Sequence, residues 1–162
     1  MFYMLFVLSC CAGMTACGSD GEGASDGGRV RVRNVYTTGC KTVGLQEASN
    51  GAAAAYAVDG AEEYLEYKSK ADGYVYVTHV NAMFNCCAED IKVGVSVNGD
   101  DIVVTEDETG SACNCVCPFD VSYEVGRLEP GQYNVTVRVA GLDRVSFRLT
   151  YPSDGKIEIS RE

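Results

Sequence analysis

The stretch Cys113-Asn114-Cys115-Val116-Cys117-Pro118-Phe119-Asp120 decides how this chain folds. Side chains of an extended strand alternate between its two faces, so cysteines at every second position share one face. The same parity continues through an apolar set, Phe119, Val121, Tyr123 and Val125. Such a set is typical of the buried side of a strand. The sequence therefore predicts a long strand whose cysteines point into the protein.

Length and composition indicate one globular domain in an oxidising compartment. The chain has 162 residues, enough for one domain with a sizeable core, and 46% of them are hydrophobic. Nine cysteines are many for a cytosolic protein but ordinary for an exported one. The net charge of -10 argues against nucleic acid or an anionic lipid surface as a partner. A cation, a basic protein and a neutral glycan stay open.

Two turn signals predict β-hairpins. Asp72-Gly73 separates two alternating segments over residues 62–81, and Asn98-Gly99 separates two apolar runs over residues 91–106. Both dipeptides supply the positive φ that a tight hairpin turn needs.

The first alternating segment is Arg29-Val30-Arg31-Val32-Arg33, with valine facing inward and arginine outward. Its three arginines form a basic stripe on an acidic protein. A solvated face or protection of an edge strand is one interpretation. A phosphate or sulfated-glycan site is the other.

The remaining segments complete an all-β pattern. Residues 119–125 and 132–139 are predicted to form a third hairpin around Leu128-Glu129-Pro130-Gly131. The stretch over residues 128–137 resembles the strand-turn-strand of immunoglobulin-like and fibronectin-type sandwiches. Alternation continues over residues 145–159, and residues 37–59 are predicted to form a long loop with at most one short helix. Eight or nine short strands without a helical period predict an antiparallel β-sandwich, with an immunoglobulin-like sandwich as first choice.

The N-terminus carries export signals. Residues 2–8 form a short apolar run with the length of a signal-peptide core. Met14-Thr15-Ala16-Cys17 resembles the lipobox of bacterial lipoproteins. The resemblance implies that residues 1–16 are a cleaved signal peptide and that Cys17 carries covalent diacylglycerol and palmitate-type acylation. Val7-Leu8-Ser9-Cys10 is a second candidate, and a buried strand or an uncleaved anchor helix is the structural alternative.

Residues 17–28 are predicted to be a flexible Gly/Ser/Asp linker, followed by the β-sandwich domain over residues 29–162. The acidic linker resembles the signal that sends some lipoproteins of anaerobic Gram-negative gut bacteria to the surface of the outer membrane. The resemblance implies a lipid-anchored protein of the cell envelope, on the outer membrane and surface-exposed; a plain solvated linker is the alternative.

A second resemblance covers the later part of the chain. Phe84-Asn85-Cys86-Cys87, the stretch over residues 113–120 and the Leu-x-Pro-Gly-x-Tyr segment after it are similar to uncharacterised β-rich lipoproteins of those bacteria. This second resemblance gives no indication of what the protein does.

The six cysteines after Cys17 are disulfide candidates: Cys40, Cys86, Cys87, Cys113, Cys115 and Cys117. Residues i and i+2 of a strand are too far apart to bond easily, and a vicinal bridge is strained. The three of the Cys-x-Cys-x-Cys run therefore pair most simply with the other three. Because Cys86 and Cys87 would face opposite ways in a strand, we expect a bulge or bend there. Six pairings satisfy this rule and stay open.

A thiolate metal site is the alternative use of these cysteines. Cys113, Cys115 and Cys117, with His79 as an extra ligand, would suit Zn or Cu(I). Free buried thiols and a redox switch are further alternatives. His79 lies on the same strand face as Val75 and Val77. This position is more typical of a buried or strand-end histidine with hydrogen-bonded ring nitrogens than of a metal ligand or a catalytic base.

The sequence offers no catalytic residues. It has no Gly-rich phosphate loop, no Gly-x-Ser-x-Gly elbow and no His-Glu-x-x-His motif. A group of carboxylates is interpreted as a solvated rim, with a weak Ca²⁺ site as the alternative: Asp100, Asp101, Glu106, Asp107 and Glu108. We therefore expect no enzyme and no cofactor. The expected function is a non-enzymatic binding or structural module that contacts a glycan or a protein through exposed tyrosines, and the alternative is a thiol-based metal-binding or redox lipoprotein.

Overall fold

A computed structural model describes residues 30–41 and 62–160, which form nine β-strands in two packed sheets. The strands are β1 (Arg31–Thr37), β2 (Glu63–Ser69), β3 (Val75–Asn85), β4 (Asp90–Asn98), β5 (Asp101–Thr109), β6 (Val116–Gly126), β7 (Gly131–Val139), β8 (Leu142–Tyr151) and β9 (Gly155–Ile159). One sheet has the order β1-β6-β3-β2-β9 and the other β4-β5-β7-β8. The predicted all-β architecture of two layers is confirmed.

Several predictions fall outside the described residues. They are the signal peptide over residues 1–16 with the alternative Cys10, Cys17 and the linker over residues 17–28, Arg29, and most of the long loop. Within the described ranges, no helix is long and apolar enough to cross a membrane.

The two hairpins with tight turn signals are confirmed. β2 pairs with β3 in antiparallel register, and β4 pairs with β5 in the same way. Gly73 and Gly99 have φ values of 87° and 61°, the left-handed conformation that glycine adopts without steric cost. Both glycines thus have the backbone conformation that the turn signals predicted.

The predicted third hairpin is wrong. β6 lies between β1 and β3, so both of its edges are already paired, and β7 instead joins β5 and β8 in the other sheet. Leu128 is buried in the connection, and its N–H donates to the carbonyl oxygen of Gly73 at 2.7 Å. Because β1 and β3 occupy both edges of β6, the chain crosses from one sheet to the other at this buried leucine instead of folding back.

The prediction of wholly antiparallel sheets is also wrong at one ladder. β5 and β7 are parallel, with Ile102 opposite Val135 and Val104 opposite Val137. The chain leaves the four-stranded sheet to form β6 and then returns, so β7 starts at the same end as β5. A parallel pair needs such a crossover.

The core lies between the sheets and follows the predicted parity of β6. Phe119, Val121, Tyr123 and Val125 are all at most 5% exposed. From the other sheet, Ile102, Val104 and Val137 meet them at 2% exposure or less. A cavity of about 30 Å³ with apolar walls remains between the layers, with room for one or two water molecules.

Candidate functional site

Three disulfides connect the cysteines of the described residues. Cys40 pairs with Cys117, Cys86 with Cys115, and Cys87 with Cys113. The prediction that each cysteine of the Cys-x-Cys-x-Cys run pairs outside the run is confirmed. Cys40 reaches the strand because the N–H of Lys41 donates to the carbonyl of Pro118 at 2.8 Å.

The vicinal cysteines both pair because the chain turns after Asn85, where β3 ends. The side-chain oxygen of Asn85 accepts hydrogen bonds from the backbone N–H groups of Cys87 and Cys113, both at 3.0 Å. One amide thus holds both halves of a disulfide in place. The expected bend is confirmed.

The Cys-x-Cys-x-Cys run is not one extended strand, which corrects the sequence prediction. β6 begins at Val116, so only Cys117 belongs to it, and a bend at Asn114 precedes it. The Sγ atoms of Cys113 and Cys115 lie 3.6 Å apart, far less than the roughly 7 Å that separates residues i and i+2 along a strand. The bend brings these two sulfur atoms into contact.

The sulfur atoms of different disulfides lie close together. Those of Cys40, Cys86 and Cys117 are all within 4.8 Å of one another. The structure thus groups these three, whereas the predicted metal set took Cys117 with Cys113, Cys115 and His79. Both ring nitrogens of His79 instead contact carboxyl groups.

A buried ionic cluster surrounds His79. Its Nδ1 lies 2.7 Å from Glu106 Oε2 and its Nε2 lies 3.1 Å from Glu63 Oε1. Tyr123 donates its hydroxyl to Glu106 Oε1 at 2.8 Å, and Arg144 donates to both oxygens of Glu63 at 2.7 Å. His79, Glu63 and Tyr123 belong to the five-stranded sheet, and Glu106 and Arg144 to the other. The cluster therefore joins the two layers.

The neighbours of His79 keep it charged. Burial by itself would lower the pKa of His79, but hydrogen bonds to Glu106 and Glu63, and their charges, outweigh burial and raise the pKa from 6.5 to about 9. Burial would raise the pKa of Glu63, but hydrogen bonds from Arg144 and His79 lower it to about 2. Burial beside Glu106 raises the pKa of Tyr123 well above its ordinary value. At neutral pH the ring of His79 is an imidazolium that donates through both nitrogens.

The sequence interpretation missed the partners of His79. Glu106 was assigned to a solvated rim, which is wrong because its side chain is fully buried. Its parity with Ile102 and Val104 in β5 was the available signal, as was the parity of Glu63 with Leu65 in β2. Parity identifies a buried face, and an acidic residue on such a face needs a cationic partner.

The buried polar atoms of the cluster all have hydrogen-bond partners. In residues 30–41 and 62–160, no buried side-chain nitrogen or oxygen lacks a hydrogen-bond partner. The neighbouring cavity is apolar and holds at most one or two water molecules. The buried atoms of the cluster are therefore satisfied by one another across the two layers.

The outer face of the five-stranded sheet carries exposed tyrosines. Tyr36 is opposite Ser122, and Tyr76 is opposite Glu124 two residues further along β6, so both rings project from the same face. Tyr36 is 67% exposed and Tyr76 is 39% exposed. They are separated by roughly 12 Å, from two strand spacings and one step of two residues.

Arg31 and Arg33, the two arginines of the predicted basic stripe that the structure describes, are engaged within the protein on this side of the sheet. Arg33 contacts Asp72 at 2.5 Å and Glu124 at 2.7 Å, and its guanidinium lies 3.4 Å from the centre of the Tyr74 ring. Arg31 donates to the Tyr74 hydroxyl at 2.9 Å. These contacts favour the structural interpretation over an anion site.

Fold and site together define an all-β domain of two packed sheets, cross-linked by three disulfides. No protein-family model, curated protein or solved structure matches this chain.

Proposed function

We propose that this protein is a non-enzymatic binding module, lipid-anchored in the cell envelope, that takes a neutral glycan on the outer face of its five-stranded sheet. The observation that carries the proposal is the pair of exposed rings, Tyr36 and Tyr76, on one face of a paired sheet. A site on the surface is favoured over one in the described interior. There, each buried side-chain nitrogen and oxygen already has a hydrogen-bond partner, and the cavity is too small for a sugar.

The chemistry of the face favours an uncharged ligand. Tyrosine combines an apolar ring with a polar hydroxyl, which suits a partner that presents both C–H and O–H groups. Ser122 and Thr78 add hydroxyls beside the rings, and Arg33 is already paired with carboxyl groups. The net charge of -10 would repel acidic glycans.

Binding to a panel of neutral and acidic glycans, followed by calorimetry on the best ligand, tests the proposal. Tyr36→Ala and Tyr76→Ala should each weaken binding by about tenfold or more, a loss of about 1.4 kcal/mol. Leu142→Ala is the matched control, because Leu142 is 75% exposed on the other sheet. Full affinity in both tyrosine variants would reject this face as the site, and capture of a protein ligand alone would reject the glycan.

The anchor is proposed from Met14-Thr15-Ala16-Cys17 and the Gly-rich segment after it. Metabolic labelling with a palmitate analogue should mark the wild type and leave Cys17→Ala unlabelled. Proteolysis of intact cells would then test exposure on the outer membrane. Label retained in Cys17→Ala and lost in Cys10→Ala would move the anchor to Cys10.

An immunoglobulin-like topology is the finer fold proposal. Two packed sheets and a connection that passes from one layer to the other support it, while the parallel ladder between β5 and β7 departs from the fully antiparallel pattern. An experimental structure tests the strand order directly.

A thiol-based metal-binding or redox lipoprotein is the second candidate. It is favoured by the sulfur atoms of Cys40, Cys86 and Cys117, which lie within 4.8 Å of one another. Cys40 and Cys117 are bonded to each other, and Cys86 is bonded to Cys115, so these sulfur atoms would bind Zn or Cu(I) only as thiolates after the disulfides are reduced. Elemental analysis and thiol counting of the purified protein decide between the candidates: stoichiometric metal with free thiols supports this one, and six bridged cysteines without metal support the binding module.

A further inference from the structure

We propose that the six cysteines of the described residues form one continuous path for thiol–disulfide exchange, which connects the exposed Cys87 to the exposed Cys40. The proposal goes beyond the glycan-binding module and requires no metal ion, and it gives the redox form of the second candidate a defined reaction. It identifies a reaction that the arrangement of the sulfur atoms permits.

The path follows from contacts between neighbouring disulfides. Cys113 is bonded to Cys87, and its Sγ lies 3.6 Å from that of Cys115. Cys115 is bonded to Cys86, whose Sγ lies within 4.8 Å of those of Cys117 and Cys40. Every sulfur atom is thus bonded to one partner, and each disulfide has a sulfur atom near one of the next disulfide.

Exposure gives the path an entrance and an exit. Cys87 and Cys40 are exposed, Cys86 and Cys115 are less accessible, and Cys117 is buried. An outside thiolate can therefore reach the sulfur of Cys87, and a thiolate released at Cys40 is stabilised by water. The inner sulfur atoms exchange chiefly with one another.

The first two steps pass the thiolate inward. A thiolate of a small thiol or of a dithiol protein attacks Cys87 Sγ, forms a mixed disulfide and breaks the bond to Cys113, which leaves as thiolate. Cys113 then attacks Cys115 Sγ, so that a Cys113–Cys115 bond forms and the Cys115–Cys86 bond breaks. Each step makes one sulfur–sulfur bond and breaks one, so there is no net oxidation or reduction.

The last step releases the thiolate at the surface. Cys86 attacks Cys117 Sγ, the Cys117–Cys40 bond breaks, and Cys40 leaves as thiolate and takes a proton from water. Attack on Cys40 instead would release a thiolate at buried Cys117, where ionisation is disfavoured. The net result is an adduct on Cys87, two rearranged disulfides and one free thiol at Cys40.

The test places one free thiol inside the path and follows it. The full chain carries serine at Cys10, Cys11 and Cys17 in every sample, and Cys87→Ser leaves Cys113 unpaired. The protein is held in acid, where few thiols are ionised, and then incubated at about pH 8 without oxidant or reductant. It is then alkylated and mapped by mass spectrometry. We expect alkylation to move from Cys113 to Cys86 and Cys40 at a rate independent of protein concentration.

The matched control adds Cys86→Ala and Cys115→Ala, which removes the middle disulfide. Its free thiol should stay at Cys113, with the Cys40–Cys117 disulfide intact. Alkylation confined to Cys113 in the Cys87→Ser protein, or migration that accelerates with protein concentration, would overturn the proposal.

A second measurement avoids any variant within the path. The protein with all six cysteines is treated with less than one equivalent of glutathione and then alkylated. A glutathione adduct at Cys87 together with alkylated Cys40 in the same molecule supports the path. The adduct together with alkylation at Cys113 alone overturns it.

Discussion

At the scale of single residues, the buried imidazolium of His79 is the most consequential feature. A charged ring without contact to water is costly unless opposite charges and hydrogen bonds surround it. Glu106 and Glu63 supply both, one at each ring nitrogen, while Tyr123 and Arg144 hold the outer oxygens of these carboxyl groups. The charge of His79 thus depends on Glu106 and Glu63, whose remaining oxygens bind Tyr123 and Arg144.

The pH dependence of stability follows from these pKa values. The pKa of His79 is raised from 6.5 to about 9, so its contribution is complete below pH 6.5 and is lost as the pH rises through about 9. The pKa of Glu63 is lowered from 4.5 to about 2, so its contribution is complete above pH 4.5 and is lost as the pH falls through about 2. For His79 the loss amounts to about 3 kcal/mol.

Proton NMR measures this directly, because the chain contains one histidine. We expect the ring protons of His79 to titrate near pH 9 and the free energy of unfolding to fall over the same range. In Glu106→Gln the titration should shift to lower pH. A midpoint at the ordinary value near 6.5 in the wild type would contradict the charged cluster.

Removal of the ring should be costly. His79→Ala leaves two buried carboxyl groups without their shared cation, and we expect chemical denaturation to show a loss of about 3 to 5 kcal/mol. Arg138→Ala is the control, because it removes the exposed ion pair with Asp143 and should cost about 1 kcal/mol or less. Equal losses in the two variants would argue against the cluster as a stabilising unit.

At the scale of elements, strand β6 pairs with both β1 and β3 in the five-stranded sheet. At its last residue, Gly126, the backbone of Gly73 and Tyr74 comes very close. An ideal Cβ on Gly126 would lie 2.6 Å from the carbonyl oxygen of Gly73 and 2.9 Å from the Cα of Tyr74. Both contacts are with backbone of the segment that leads into β3, which cannot rotate away as a side chain can. The position therefore requires glycine.

Gly126→Ala should lower the free energy of unfolding by about 1 to 3 kcal/mol through overpacking. Gly131→Ala is the matched control, because a methyl group added there would have its nearest neighbouring atom 3.8 Å away. We expect a change within about 0.5 kcal/mol at that position. Thermal unfolding of both variants distinguishes the two sites, and an equal effect would refute the close contact.

Strand pairing also explains why the fold was only partly predictable from the sequence. The hairpins around Gly73 and Gly99 depend on a few adjacent residues and were predicted correctly. The segment around Leu128 has an equally clear turn signal, but its outcome depends on β1 and β3, which already occupy both edges of β6. His79 likewise finds partners 16 and 27 residues away, which no local pattern specifies.

At the scale of the whole molecule, the disulfides do not contribute equally. Cys86–Cys115 and Cys87–Cys113 close nearly the same loop, since their ends are one and two residues apart. Cys40–Cys117 joins residues 77 apart and connects the segment after β1 to β6. In the chain-entropy description, the long connection restricts the unfolded chain far more than a second closure of a shared loop.

Paired serine substitutions test this order. Cys40→Ser with Cys117→Ser should cost about 4 kcal/mol, whereas Cys87→Ser with Cys113→Ser should cost about 2 kcal/mol or less while Cys86–Cys115 remains. The free energy of unfolding in denaturant gives both values. A larger loss in the second pair would mean that native contacts at that end of the molecule outweigh chain entropy.

The sequence by itself determined the all-β class, the two hairpins with tight turns and the rule that each cysteine of the run over residues 113–117 pairs outside it. Strand parity, turn conformation and the reach of a side chain act over a few residues, so they can be read along the chain. Only the tertiary structure decided which cysteines pair, which sheet takes β7 and which groups surround His79. Those outcomes depend on residues far apart in sequence that meet when two sheets pack and when buried charges must find opposite partners.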